Sequence, residues 1–220
     1  MNLRQLIKLI CAILIATILT LAIKSSKVSK LDPVKDIAPH VVPYRLLSKG
    51  NGRFATGFHL KYKGNVYILT NKHVCDSNLR VYGHKNIQFG NYVGEIIAID
   101  DIHDLCLVTS NRSDGLELAK EGLKDLDKVT LVGYPRGIGK VIREGHVIES
   151  KTIVAPWLPM LIAETQIIST IAYGGNSGSP VVNAKGKVAG VLFAGHRYYH
   201  TEAYIVPLIY VQIFLEHHIK

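Results

Sequence analysis

A succession of short apolar runs, each closed by Gly, Asn, Asp or Lys, constrains this chain more than any other feature. Phe54 to Tyr62, Val66 to Thr70, Tyr92 to Ile99, Leu105 to Thr109, Val129 to Gly133, Val141 to Ile148, Met160 to Ile168, Pro180 to Asn183 and Val188 to Phe193 are rich in Val and Ile and too short for globular helices. Many short strands at regular spacing predict an all-β body, an antiparallel barrel or sandwich. The closing stretch Pro207 to Lys220 reads differently: Leu208, Val211, Leu215 and Ile219 recur at helical spacing, although Ile209 and Ile213 widen the apolar surface and blur the stripe. Setting aside the first 30 residues leaves 190 of 220, enough for one sizeable core or two small packed barrels and nothing further.

Those first residues are a separate object. Arg4 and Lys8 precede an uncharged run from Leu9 to Ile23, and Lys24, Lys27 and Lys30 follow. Such a run has the length of a signal-peptide core and falls short of the roughly 20 residues a bilayer span needs, unless Leu6 and Ile7 join it with Lys8 snorkelling. Residues 1–23 are therefore read as a cleaved signal peptide or a membrane anchor, residues 24–40 as a linker and residues 41–220 as the folded body. That body is expected to be exported or tethered to a membrane.

Charge excludes one class of partner. Of the formal net charge of +9, residues 1–30 supply five basic groups and no acidic ones, so the remainder carries only +4. No basic stripe with interleaved aromatics is present, and no nucleic-acid partner is expected. Nor does any Cys/His spacing suggest a metal site, and the glycines at 133, 137 and 139 lack the setting of a phosphate loop. No cofactor is expected.

Three segments carry the chemistry. Gly175-Asn176-Ser177-Gly178-Ser179-Pro180 sets a serine between glycines on a tight turn, where its hydroxyl and the N–H groups of Gly175 and Ser177 can converge on one carbonyl oxygen. A serine hydroxyl needs a base. His73 supplies one at the end of the Val66 to Leu69 run, with an ordinary pKa of about 6.5. Asp104 opens the run Leu105 to Val108 and can hold the second imidazole nitrogen. Asp100 and Asp101 compete for that place, but Asp104 adjoins the apolar run that would bury it.

In this order, His, Asp, Ser, the segments resemble the chymotrypsin-like serine proteases. Thr70-Asn71-Lys72-His73-Val74-Cys75 is similar to the family's Thr-Ala-Ala-His-Cys, and Asp100 to Val108 to the Asp-Pro-x-x-Asp-Leu-Ala-Leu-Leu of its bacterial Deg/HtrA branch. Leu131 to Gly137 resembles that branch's Gly-x-Pro-x-Gly turn, and the serine motif is that of Deg-like and glutamyl-endopeptidase-like members. The resemblance runs from about Arg53 to the C-terminus.

It implies two packed antiparallel six-stranded β-barrels with a C-terminal helix, beside the N-terminal hydrophobic helix, and a serine endopeptidase acting on protein or peptide substrates. It also implies a substrate pocket with Ile171 and Ala172 at the base and Leu192, Phe193, Ala194 and Gly195 as one wall, suited to a small or aliphatic residue before the cut. Asn176 stands where digestive members carry Asp, so activation by an ion pair to a new N-terminus is not expected, and no room is left for the peptide-binding domain that Deg relatives append. A membrane-tethered binding protein that has lost catalysis is the alternative of another class, and an esterase with the same triad is chemically allowed. Cys75 and Cys106 each lie two residues past a proposed triad member and come close if His73 and Asp104 meet; two buried thiols are the expectation and a disulfide the alternative.

Overall fold

The computed structural model describes residues 33–48, 51–153, 163–196 and 201–220. The N-terminal apolar run lies outside them. Among the described residues no helix is long and apolar enough to cross a membrane.

Strands β1 (Val41–Ser48), β2 (Asn51–Tyr62), β3 (Asn65–Thr70), β4 (Asn86–Phe89), β5 (Tyr92–Asp100) and β6 (Leu105–Thr109) form one closed antiparallel barrel in the order β1-β2-β3-β6-β5-β4. Strands β7 (Lys128–Gly133), β8 (Val141–Ile153), β9 (Ala163–Ser169), β10 (Pro180–Asn183), β11 (Val188–Gly195) and β12 (Glu202–Pro207) form a second, in the order β10-β11-β12-β9-β8-β7. The expected architecture of two six-stranded barrels is therefore present. Closure removes the unpaired edges that short strands would otherwise expose.

Each barrel has its own apolar filling. Val42, Leu46, Ile68, Ile87, Phe89 and Val108 pack within the first, and Leu131, Val147, Ile168, Val181, Leu192 and Ile205 within the second. A third cluster forms the seam: Phe58, Leu60, Leu69 and Leu107 from the first barrel meet Val132, Val182, Val191 and Val206 from the second. The connecting stretch crosses this seam and is stitched to both sides, Leu116 bridging to Leu60 and Leu118 to Val188.

Three α-helices accompany the barrels among the described residues. α1 (Pro33–Ile37) and the 3-10 turn Ala38–His40 occupy part of the stretch read as linker. Ile37 explains the difference: it is fully buried in the seam cluster, so the folded body begins at Pro33. α2 (Lys72–Tyr82) follows β3 and stops at Gly83, whose φ of 71° and N–H bond to the Leu79 carbonyl make a left-handed cap. The C-terminal helix α3 (Leu208–His218) buries Leu208, Val211, Phe214 and Leu215 and leaves Ile209 and Ile213 to solvent. Its last turn is tied down where Lys63 Nζ donates to the Ile219 carbonyl at 2.7 Å.

Candidate active site

His73 lies in the first turn of α2 and Asp104 immediately before β6, so the first barrel supplies both. Asp104 Oδ2 and His73 Nδ1 are 2.7 Å apart, and the His73 main-chain N–H donates to Asp104 Oδ1 at 2.9 Å. Asp104 adopts φ 54°, a left-handed conformation that costs a non-glycine residue energy and needs external support. That support comes from its carbonyl, which accepts the Asn71 side-chain amide at 2.9 Å and the Lys72 N–H at 3.1 Å. Asn71, at the N-cap position of α2, makes no capping bond with its side chain, which serves Asp104 instead.

The competing carboxylates are engaged elsewhere. Asp100 Oδ2 lies 2.8 Å from His103 Nδ1; burial opposes its ionisation, but that bond and the N–H groups of Ile102 and His103 hold its carboxyl below the usual range. Asp101 is exposed and pairs with Lys72 at 3.3 Å.

Cys75 and Cys106 are joined in a disulfide, with Cα atoms 6.5 Å apart, which corrects the expectation of two thiols. The physical reason is the pairing just described: each cysteine lies two residues beyond a member of the His73–Asp104 pair, so the contact that unites the pair also brings the sulfurs together. The bond locks α2 to β6 directly behind it.

Ser177 comes from the second barrel, on the turn before β10. Asn176 N–H donates to the Tyr173 carbonyl at 3.0 Å, closing a turn in which Gly175 takes φ 103°. Glycine is required there on two counts: a side chain rarely adopts that φ, and an added Cβ would stand 2.4 Å from the Tyr134 carbonyl oxygen. Arg136 N–H donates to the Gly174 carbonyl at 2.7 Å. A trans peptide points its two polar groups in opposite directions, so this bond turns the Gly175 N–H away from Arg136. Neither the Gly175 nor the Ser177 N–H donates a hydrogen bond among the described residues.

The two halves meet through Thr56 of β2, whose N–H donates to the Ser177 carbonyl at 2.8 Å. Gly178 is pressed against the Thr56 carbonyl and the hydroxyl of Thr70, three residues before His73. The Ser177 hydroxyl is turned to the Phe193 carbonyl at 3.5 Å, the outer limit of a hydrogen bond, and is not bonded to the imidazole. Such bonds commonly tighten only when substrate is bound.

Beside Ser177 lies a cleft of about 330 Å³ whose lining includes Ala172, Leu192, Ala194 and Gly195, together with Arg136, Tyr173 and His196. Ile171 is not part of it. Successive residues of an extended chain face opposite sides, so Ala172 is buried while Ile171, 38% exposed, lines a separate hollow with Leu131 and Val141. Phe193 likewise packs away from the cleft lining, its ring 6.3 Å from that of Tyr204. A larger cavity, about 870 Å³, lies between Tyr44, Phe54, Tyr82 and Ile138 and holds none of His73, Asp104 or Ser177. Arg136, with its guanidinium 4.4 Å from the centre of the Tyr173 ring, and the Thr56 bridge were not singled out by sequence.

Residues 55–191 match the model of the trypsin-like peptidase domain. The chain belongs to the trypsin-like peptidases. Solved structures agree in fold. The active form of the Rv3671c protease from M. tuberculosis superposes with a TM-score of 0.69 at 22% identity, over 84% of this chain and 83% of that one. The serine endoprotease from Yersinia pestis gives 0.67 at 20% identity, over 87% and 66%, and the HtrA-type protease AlgW with tripeptide 0.67 at 20%, over 86% and 62%. This trypsin-like peptidase is thus a serine endopeptidase by class, built on a fold shared with HtrA-type proteases.

Proposed function

We propose that Ser177 is the nucleophile, His73 the general base and Asp104 the residue that fixes the imidazole tautomer. Ser177 Oγ attacks a peptide carbonyl while His73 Nε2 takes its proton and then delivers it to the leaving amine. Water repeats the cycle on the acyl-enzyme. The Gly175 and Ser177 N–H groups receive the negative oxygen, each donor contributing about 3 kcal/mol to the transition state.

The observation that carries this reading is the two-point hold of Asp104 on His73, together with a serine turn in which the Gly175 and Ser177 N–H groups make no hydrogen bond among the described residues. Treatment of the full chain with a fluorophosphonate probe tests it: one adduct by intact mass, absent in Ser177→Ala, is the expected result. An adduct that persists in Ser177→Ala overturns the assignment.

The small lining of Ala172, Ala194 and Gly195, with Leu192 beside them, supports cleavage after small or aliphatic residues. A peptide library cut only after Glu, Lys or Arg would refute that preference. Export or tethering, with the catalytic body outside the cytoplasm, is supported by the N-terminal apolar run and by the disulfide, which an oxidising compartment sustains. Fractionation of cells expressing the full chain, with protease access to the body from outside, checks it.

A further inference from the structure

The side chain of Thr56 is fully buried at the seam, and both capacities of its hydroxyl are used. Its O–H donates to the Gly175 carbonyl at 2.8 Å, and its oxygen accepts the Tyr134 N–H at 3.0 Å. We infer that Thr56 is a positioning residue for the oxyanion-binding turn, its hydroxyl holding Gly175 so that the Gly175 N–H faces the reacting oxygen. This rests on the assignment of Ser177 and its turn given above.

The geometry is that of a clamp on one flexible residue. Gly175 joins two peptide planes, and with no Cβ it is free to rotate between them. The plane before it is held by the Arg136 N–H on the Gly174 carbonyl, and the plane after it by the Thr56 hydroxyl on the Gly175 carbonyl. With both planes fixed, φ at Gly175 is fixed as well, and with it the direction of the N–H. The same hydroxyl anchors Tyr134, two residues before Arg136, so both holds on the turn pass through or beside Thr56.

The main chain of Thr56 is engaged separately. Its N–H reaches the Ser177 carbonyl and its carbonyl accepts the Thr70 hydroxyl at 2.7 Å, and neither bond depends on which side chain is present. The hydroxyl is therefore separable from the seam. Thr56→Val keeps the shape and removes both hydroxyl bonds, leaving the Gly175 carbonyl and Tyr134 N–H unpaired, whereas Thr56→Ser keeps the hydroxyl and removes only the methyl.

The experiment measures fluorophosphonate labelling of the full chain over a concentration series, which separates reversible binding (KI) from the covalent step (kinact). The covalent step develops negative charge on an oxygen in the proposed hole; binding does not. For Thr56→Val the expected result is a fall in kinact of about 100-fold with KI unchanged, the size of losing one oxyanion donor. Thr56→Ser is expected within about threefold of the parent in both constants, on the same scale. A folded Thr56→Val with parental kinact, or one in which only KI moves, overturns the inference. Should the valine variant fail to fold, Thr56→Ala against Thr56→Ser decides: alanine slow and serine fast supports the clamp, and equal rates overturn it. Ser177→Ala runs alongside, because labelling that survives there removes the nucleophile assignment itself, a failure distinct from a normal Thr56→Val.

Discussion

His73 and Asp104 are joined at two points, ring Nδ1 to Oδ2 at 2.7 Å and main-chain N–H to Oδ1 at 2.9 Å, so the carboxylate that holds the ring is itself fixed to the helix that carries it, and the imidazole cannot turn without breaking its bond to Asp104. Asp104→Asn preserves the size of the side chain and the main-chain bond but favours the wrong ring tautomer. Turnover is expected to fall on the order of ten-thousand-fold with the fold intact. Fluorophosphonate labelling rates, with circular dichroism as the fold control, measure it; a loss under tenfold would remove Asp104 from the role.

The disulfide behind this pair closes a loop of sequence separation 31. Chain-entropy arguments assign such a cross-link about 3–4 kcal/mol. Cys75→Ser together with Cys106→Ser is expected to lower Tm, and to slow labelling because α2 and β6 are no longer locked. Alkylation of the unreduced, unfolded full chain should find one thiol, Cys11, against three after reduction.

Gly178 has φ 83°, and an added Cβ would stand 2.1 Å from the Thr56 carbonyl oxygen and 2.3 Å from Thr70 Oγ1. Neither neighbour can retreat, since Thr70 donates to that same carbonyl. Gly178→Ala therefore pushes the barrels apart at the serine turn, and loss of labelling with a lowered Tm is expected. Parental values for both would show that the seam has slack.

His59 contributes to the body's acid response. It is fully buried, its Nδ1 lies 2.9 Å from Ser110 Oγ, and Nε2 has no hydrogen-bond partner. Burial, with Arg112 and His40 adding to it and Asp114 opposing, pushes its pKa down to about 4. Below the unfolded value of about 6.5 the unfolded chain binds the proton and the folded one does not, so stability is complete above that pH and declines toward pH 4. Between pH 7 and pH 5 this group alone removes about 2 kcal/mol. Thermal unfolding at the two pH values should show a smaller drop in Tm for His59→Gln than for the parent; equal drops would assign the acid response to other groups.

Where sequence and structure agree, the cause is local. β6 and β10 have the bounds expected because Leu105 to Thr109 and Pro180 to Asn183 are apolar runs cut by turn residues on both sides. β1 was overlooked because Pro43 and Arg45 interrupt its pattern; Pro43 is tolerated because β1 pairs with β4 only at Tyr44 and Phe89. β4 is four residues long, and β12 runs directly into α3, which hid its end.

In the site, His73, Asp104 and Ser177 stand out because the residues on either side of each make a recognisable string. Thr56 does not, since its partners lie 78 and 119 residues away and its own strand presents it as one more inward position. His196, one residue past β11, lines the cleft as well, and no string around it marks it. Ile171 lines the neighbouring hollow instead: a place counted back from the serine fixes the position in the chain and not the side to which the residue turns.

Leu116 and Leu118, two residues apart, are stitched to different barrels. His73 and Asp104, the proposed base and its carboxylate, lie on one side of that stitch and Ser177 on the other. A chain severed between these leucines would yield two fragments, each inert by itself, and hydrolysis would return only on their reunion. The protease is in effect a conjunction: its output reports that both barrels are present and joined across one shared core.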